Sequence, residues 1–163
     1  MKIRTIGTFV VTASVLFGGI AIPAQATENY STIIINQEAP KLTTTSFAVG
    51  TNTEFIVTFS APLAIAKTKK VGEIVGSLTV LDIGGEKGSS QTRFRDISFI
   101  LPGGQILAAG ASEYVTSEIE LRLSKPVTIA IIGGTGKYLG ARGEVTTRRN
   151  ADGTYQHKVK LLK

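Results

Sequence analysis

Apolar and polar residues alternate with a period of two in several stretches of the chain. In residues 54–59 the odd positions hold Phe55, Val57 and Phe59, and in residues 118–123 a charged row alternates with an apolar row. This period places successive side chains on opposite faces of a β-strand. Beyond the first 26 residues, no long segment has the period of an amphipathic helix. The pattern therefore predicts an all-β chain.

Turn signals divide this pattern into about eight strands. Pro102-Gly103-Gly104 separates two apolar runs, and Asp152-Gly153 marks the last hairpin. Glycines inside the strand 71–81 predict bends or bulges where a barrel wall curves. Short strands at this spacing indicate one β-sandwich or β-barrel domain. The predicted strands are 54–59, 71–81, 93–101, 105–109, 118–123, 127–132, 144–149 and 154–162.

The first 26 residues have the pattern of a secretory signal. Lys2 and Arg4 precede an uncharged apolar stretch at 6–22, and Ala24-Gln25-Ala26 fits the small-x-small cleavage pattern. We predict cleavage after Ala26 and a secreted or periplasmic protein without an integral membrane span. An uncleaved anchor is the alternative, but the apolar stretch is slightly short for a span.

The predicted domain organisation is a signal peptide at 1–26, a leader or edge strand at 27–49 and a β-barrel domain at 50–163. The chain has no cysteine, which excludes disulfides, thiol chemistry and a lipoprotein anchor. Two of the 18 basic residues and none of the 12 acidic residues lie in the signal, so the remainder has a net charge of +4. It lacks the dense basic stripe with interleaved aromatics of a nucleic-acid binder, so we predict no nucleic-acid partner.

A glycine-rich turn follows the apolar run 127–132. A phosphate-binding loop would need glycine and Ser or Thr where this chain has Ile131 and Tyr138, and a dinucleotide fingerprint would need glycine at Leu139. The role predicted for the turn is conformational, because glycine allows positive φ and close backbone approach. The structural turn residues are Gly133, Gly134, Gly136 and Gly143.

Three stretches in chain order resemble motifs of allene oxide cyclase-like and dirigent-like proteins. They are Val71-Gly72-Glu73-Ile74-Val75-Gly76, Phe99-Ile100-Leu101-Pro102-Gly103-Gly104-Gln105-Ile106, and Ile132-Gly133-Gly134-Thr135-Gly136-Lys137-Tyr138 with Ala141-Arg142-Gly143. The resemblance covers residues 50 to 162, approximately the whole predicted barrel. It implies an eight-stranded antiparallel barrel of calycin-like shape, often a homodimer or homotrimer, with an apolar lumen.

Members of this superfamily steer the cyclisation or coupling of reactive small molecules, and the resemblance implies such a role without a cofactor. A barrel of eight strands leaves room for side chains or one small ligand. The expected function is therefore an exported barrel that binds an apolar small molecule and acts as a cyclase, isomerase or stereocontrol protein. The alternative is a non-catalytic carrier, or a structural, oligomerising envelope protein, on the same scaffold.

Three residues are candidates for the site. Allene oxide cyclases have a luminal glutamate on an early strand that assists epoxide opening, which makes Glu54 the candidate catalytic residue. The motif that surrounds that glutamate in the plant enzymes is absent here, and a solvated Glu54 is the alternative. Tyr138 and Arg142 are candidate ligand contacts at the barrel mouth, or else they cap that end of the barrel.

The remaining polar residues have no telling spacing. No His, Asp and Glu cluster has the spacing of metal ligands, so we predict no metal. We expect a solvated location for the row Glu118, Glu120 and Arg122, for the cluster Arg93, Arg95 and Asp96, and for the strand residue His157.

Overall fold

The computed structural model describes residues 29–49, 52–65, 69–81, 90–116 and 118–163; the predicted signal peptide lies outside these residues. The described residues form strands and one 3-10 turn, Gly136–Tyr138. The strands are β1 (Tyr30–Gln37), β2 (Lys41–Val49), β3 (Asn52–Ile65), β4 (Lys69–Leu81), β5 (Ser90–Leu101), β6 (Gly104–Val115), β7 (Val127–Gly134), β8 (Gly143–Arg149) and β9 (Tyr155–Leu162).

The strands form one antiparallel sheet that closes into a barrel. Their order is β1-β9-β8-β7-β6-β5-β4-β3-β2, and β1 also pairs with β3. The β1–β3 pairing closes a ring of eight strands, and β2 lies outside the ring on β3. The predicted all-β fold with a single eight-stranded antiparallel barrel is therefore confirmed.

Residues expected to form a leader or edge strand contribute to the barrel. β1 pairs with β9 along its whole length, from Tyr30 opposite Leu162 to Gln37 opposite Tyr155. Its buried side chains continue the lumen, with Ile35 fully buried. β2 is the edge strand, because it pairs with β3 alone. The barrel thus includes residues before residue 50.

β3 is longer than the predicted strand 54–59 and continues through Pro62 to Ile65. Its pairing with β2 stops at Ser60, and its pairing with β1 involves Leu63 and Ala64. Pro62 lies between these two pairings, where a residue without a backbone N–H is tolerated. A register shift between Leu63 and Ala64 against β4 confirms a bulge near the glycines of that strand.

The expected strand at 118–123 is not formed. Within these residues only Leu123 makes an isolated bridge, to Arg149. Leu121 is buried, whereas Ile119 and Leu123 are 43% and 54% exposed. Of the alternating apolar residues, only Leu121 therefore points into the barrel, and the row does not form the buried face of a strand. We call residues 118–123 the closure segment.

The lumen has two differently packed ends. At the glycine end, formed by the Pro102-Gly103 turn and residues 135–142, a dense apolar core fills the barrel, with Phe99 and Ile106 at its centre. At the opposite end, where β1 ends and β5 and β9 begin, a smaller cluster of Val57, Leu78, Tyr114, Leu121 and Tyr155 lies among buried polar side chains. We call this second end the polar end.

Candidate functional site

At the glycine end, two of the turns that carry the sequence resemblance dock on each other. The amide of Lys137 donates to the carbonyl of Gly103 over 2.8 Å, and that of Thr135 donates to Gln105 over 2.9 Å. Gly136 has φ +59°, and a Cβ there would overlap the Gly103 carbonyl oxygen. Gly143 also has positive φ, at +140°. These contacts are structural, because they fix the two turns against each other.

The candidate ligand contacts Tyr138 and Arg142 lie at this glycine end. Tyr138 is half-buried and packs on the apolar core, with the Lys137 ammonium 5.0 Å from its ring centre. Arg142 is exposed, and its carbonyl accepts the Leu162 amide over 2.9 Å. The structure does not bring either residue to the buried polar groups, which lie at the other end of the lumen.

The backbone of Glu54 lies in β3, opposite Phe47 of β2 and Leu81 of β4. Its side chain lies outside the part of the structure that is described.

The polar end contains side chains that were expected on the surface. Arg93, Arg95 and His157 are only 3%, 5% and 0% exposed. Asp96 is exposed, as expected. The two arginines share the inward face of β5 with Ile97 and Phe99, so the period of two continues from an apolar stretch into a charged one. The expected solvated location is therefore wrong for Arg93 and Arg95, because odd-numbered residues of β5 point into the lumen whether they are charged or apolar.

Arg93 is buried with a full set of partners. Its guanidinium donates to the side-chain oxygen of Gln91 over 3.1 Å and to the carbonyls of Val115 and Ile119 over 3.2 and 3.4 Å. It also lies 4.5 Å from the ring centre of Tyr114. Burial lowers the pKa of Arg93 from its usual value, but an arginine stays protonated at neutral pH. The Arg93 side chain thus binds the closure segment through the backbone carbonyl of Ile119.

Arg95 is buried without such a set. Its Nε and Nη1 atoms have no hydrogen-bond partner, and neither does the buried Oγ of Ser112 on the neighbouring strand β6. None of the ion pairs among the described residues includes Arg95. A charged guanidinium in this state is costly, because it has given up hydration without replacing it.

His157 lies at the centre of a short polar chain. Its Nε2 is 2.8 Å from the side-chain oxygen of Gln37, and its Nδ1 is 2.9 Å from the Thr147 hydroxyl. An amide oxygen only accepts, so Nε2 carries the proton and Nδ1 accepts from Thr147. Burial, aided by the charge of Arg95, lowers the pKa of His157 to about 3. The ring is therefore neutral at pH 7 and both nitrogens are occupied.

Two tyrosines and one glutamate complete the polar end. The Tyr155 hydroxyl donates to Glu120 over 3.0 Å, and Arg149 forms an ion pair with the other oxygen of the same carboxylate. Burial raises the pKa of Tyr155, and the nearby Glu120 raises it further. Burial also raises the pKa of Tyr114, against the opposing charges of Arg95 and Arg93. Both phenols are thus protonated at neutral pH.

The charged residues Glu118, Glu120 and Arg122, predicted to share a solvated face, differ in exposure in the structure. Glu118 and Arg122 are exposed, as expected, but Glu120 is half-buried and bonded to the barrel. The row does not belong to a strand, so its members do not share one face. Glu120, Leu121 and Ile119 instead line a pocket at the polar end.

This polar-end pocket combines apolar walls with a few polar groups. It encloses about 340 Å³ of empty space, including its open mouth. The enclosed cavity at its base is about 30 Å³, which is room for about two waters. A larger ligand would therefore have to displace part of the closure segment. The lining consists of Gln37, Pro40, Leu42, Phe59, Leu78, Arg95, Tyr114, Ile119, Glu120, Leu121 and Tyr155.

Several solved protein structures have a similar architecture. A pyocyanin demethylase is 21% identical and has a TM-score of 0.59, with 80% of this chain and 99% of that chain covered. An exo-specific intermolecular Diels-Alderase is 14% identical, with a TM-score of 0.56 and coverage of 82% and 98%. A pterocarpan synthase dirigent protein is 16% identical, with a TM-score of 0.54 and coverage of 85% and 87%. The chain shares its barrel fold with these proteins, one of which is a dirigent protein.

The resemblance stated from the sequence motifs is thereby confirmed at the level of the fold. No family model and no curated protein sequence matches the chain. Because these identities are low, the likeness concerns the fold and not any one reaction. The chemistry must be argued from the polar-end pocket itself.

The described residues place hydrogen-bond donors, one unpaired cation and one carboxylate around the pocket. Tyr114 remains a neutral donor, Tyr155 donates its proton to Glu120, and Arg95 contributes a fixed positive charge. Such preorganised groups can hold an oxygen on which negative charge resides or develops. In the described part of the chain, no group of three or more His, Cys, Asp or Glu side chains could hold a metal, and no helix could cross a bilayer.

Proposed function

We propose that the protein binds one small organic molecule in the polar-end pocket and steers its cyclisation, isomerisation or coupling without a cofactor. The single observation that carries the proposal is the lining of this pocket. Apolar side chains such as Phe59 and Leu78 surround Arg95, Tyr114 and Tyr155 at the mouth of a barrel. Concave apolar sites with a few convergent polar groups are typical of small-molecule binding.

The apolar walls would hold a flexible ligand in one compact shape and exclude water from it. Arg95 and the protonated Tyr114 would stabilise negative charge on a ligand oxygen, and Glu120, which already accepts from Tyr155, would accept a further hydrogen bond. The neutral ring of His157 has partners on both nitrogens. We therefore assign it a supporting role behind the pocket rather than the role of a base.

The proposal includes export and self-assembly. Export is supported by the apolar stretch and the cleavage pattern of residues 1–26. A homodimer or homotrimer is supported by the resemblance to the superfamily.

The first experiment is native mass spectrometry of the protein purified from its own host, followed by denaturation and identification of any released molecule. A stoichiometric small organic passenger would support the proposal and give the substrate class. The same spectrum would give the oligomeric state. The mass of the purified chain would test cleavage after Ala26.

Turnover would then separate an enzyme from a carrier. The released molecule, or its reactive precursor, would be incubated with the wild-type protein and with Tyr114→Phe, Tyr155→Phe and Glu54→Gln. Conversion by the wild type and loss of rate in a tyrosine variant would place the reaction in the polar-end pocket. Binding without conversion would leave the carrier function, and an empty barrel that refuses phenolic and fatty-acid probes would contradict the proposal.

A further inference from the structure

We infer that the ligand of the polar-end pocket carries an anionic oxygen group, with a carboxylate as the simplest form, and that Arg95 binds it. This inference rests on the proposed function and names its substrate class. It changes the earlier expectation of a purely apolar ligand to one with an apolar body and a charged head.

The first observation is the state of the Arg95 guanidinium. The residue is 5% exposed and lines the pocket, yet its Nε and Nη1 have no hydrogen-bond partner. Buried charges in proteins are normally paired, because an unpaired one loses its hydration without compensation. Arg93, two residues away on the same strand, is also buried, but its guanidinium donates hydrogen bonds to one side-chain oxygen and two backbone carbonyls.

The second observation is the balance of charge around the pocket. Glu120 is the one carboxylate in its lining, and it already binds Arg149 and Tyr155. His157 is neutral at pH 7, and Tyr114 and Tyr155 are protonated. Arg93 and Arg95 therefore leave two positive charges that no described carboxylate compensates. A ligand with one negative charge would reduce this excess, whereas a cationic ligand would increase it.

The third observation is the distribution of apolar groups in the same pocket. Leu42, Phe59 and Leu78 line it together with Arg95. A free inorganic anion would meet the guanidinium but leave these walls without a partner. An organic anion would use both, because its apolar part would be buried while its oxygen accepted hydrogen bonds from Arg95.

The available room explains how the site remains closed without its ligand. Leu121 of the closure segment is buried against Tyr114 and Tyr155, and the remaining space fits about two waters. An organic anion would take the place of Leu121, and the closure segment would move outward. The cost of the unpaired guanidinium would then be offset only in the bound state.

The test uses probes of matched shape and different charge. Binding of 2-naphthoate and decanoate would be measured by calorimetry at pH 7 and compared with the primary amides of the same acids. The variants are Arg95→Met and Arg95→Lys. The control is Arg148→Met, which removes an equal charge from an exposed position on β8. Thermal unfolding of each variant without ligand would be recorded in parallel.

We expect the wild type to bind a carboxylate at least about tenfold more tightly than its amide, the ratio expected for a charged hydrogen bond. Arg95→Met should abolish this preference while Arg148→Met keeps it, and Arg95→Lys should retain part of it. Without ligand, Arg95→Met should raise Tm by about 3 °C or more, because it removes an unpaired buried charge.

The outcomes separate this inference from the function on which it rests. Equal binding of acids and amides would overturn the anionic ligand but leave a small-molecule barrel, with ordered water as the partner of Arg95. No binding of any probe, together with an empty protein from its own host, would overturn both. If Arg95→Met fails to fold, the wild-type ratio and Arg95→Lys still decide the question.

Discussion

The hydroxyl of Tyr155 donates to the carboxylate of Glu120 over 3.0 Å, and this bond joins the start of β9 to the closure segment. Arg149 binds the same carboxylate from β8, so Glu120 connects the closure segment to two wall strands. Its ion pair is about one-quarter exposed on each side, which limits the effect of solvent screening. The closure segment is therefore held at the polar end by a carboxylate as well as by the apolar insertion of Leu121.

The first prediction concerns this connection. Glu120→Gln should lower the free energy of unfolding by about 1 to 2 kcal/mol, because it leaves Arg149 without its charged partner. It should also speed amide hydrogen exchange in the closure segment more than in β9. Denaturant unfolding and hydrogen exchange would measure these effects. Glu118→Gln, at an exposed neighbouring position, is the matched control, and an equal effect of both variants would contradict the prediction.

The second prediction is a pH dependence that arises from His157, the one histidine in the sequence. Its pKa is about 3 in the folded protein, against about 6.5 in an unfolded chain. Between these values the unfolded state binds more protons, so stability is complete above pH 6.5 and falls as the pH is lowered. The loss from pH 7 to pH 5 should be about 2 kcal/mol.

Urea unfolding at several pH values would measure this slope. His157→Gln keeps a polar side chain between Thr147 and Gln37 but cannot titrate, so its stability should change much less over the same range. Side-chain hydrogen bonds lower the pKa values of the exposed carboxylates Glu113 and Asp152, which moves their titration away from that of the unfolded-state histidine. A variant with the same slope as the wild type would show that other groups are responsible.

The third prediction separates backbone conformation from space in the glycine turn. Gly136→Ala should destabilise the protein by more than about 1 kcal/mol, because φ is +59° and the new Cβ would overlap the Gly103 carbonyl. Gly140 also has a positive φ, at +76°, but a Cβ added there would meet no atom within 4 Å apart from its chain neighbours. Gly140→Ala should therefore destabilise the protein less than Gly136→Ala. Gly133→Ala has neither constraint and should be close to neutral. Thermal unfolding of the three variants would test this order.

The fold was predictable because its signals are local. The period of two and the turns at Pro102-Gly103-Gly104 and Asp152-Gly153 predict β3 to β9, although residues 118–123 form no strand, and the glycine motifs resemble those of a known barrel superfamily. The predicted strand at 118–123 was wrong for a physical reason. Leu121 alternates with charged residues as a strand residue would, but its side chain inserts into the end of the barrel. Only Leu121 of the apolar row is buried, so alternation in a short segment does not by itself show a strand with one buried face.

The site was harder to predict because its residues are distributed along the whole chain. Gln37, Arg95, Glu120 and Tyr155 come from β1, β5, the closure segment and β9, and only the closed barrel brings them together. Tyr138 and Arg142 follow the glycine-rich turn and lie at the glycine end, away from the polar-end pocket, and their role as ligand contacts stays a prediction. The alternation along β5 could have predicted the burial of Arg95, because Arg95 lies on the same face of the strand as the buried Ile97 and Phe99.

The last prediction concerns Leu121 as the residue that fills the pocket. Leu121→Ala should lower the free energy of unfolding by about 2 to 4 kcal/mol, because Leu121 is 2% exposed and packs with Leu78, Tyr114 and Tyr155. The same change should enlarge the pocket and raise the association rate of an organic ligand. Leu123→Ala is the control, since Leu123 is 54% exposed and should change neither quantity by much. Stopped-flow binding and denaturant unfolding would measure both effects. A destabilised Leu121→Ala with unchanged association would show that ligands reach the lumen without displacing this leucine, and would assign it to core packing alone.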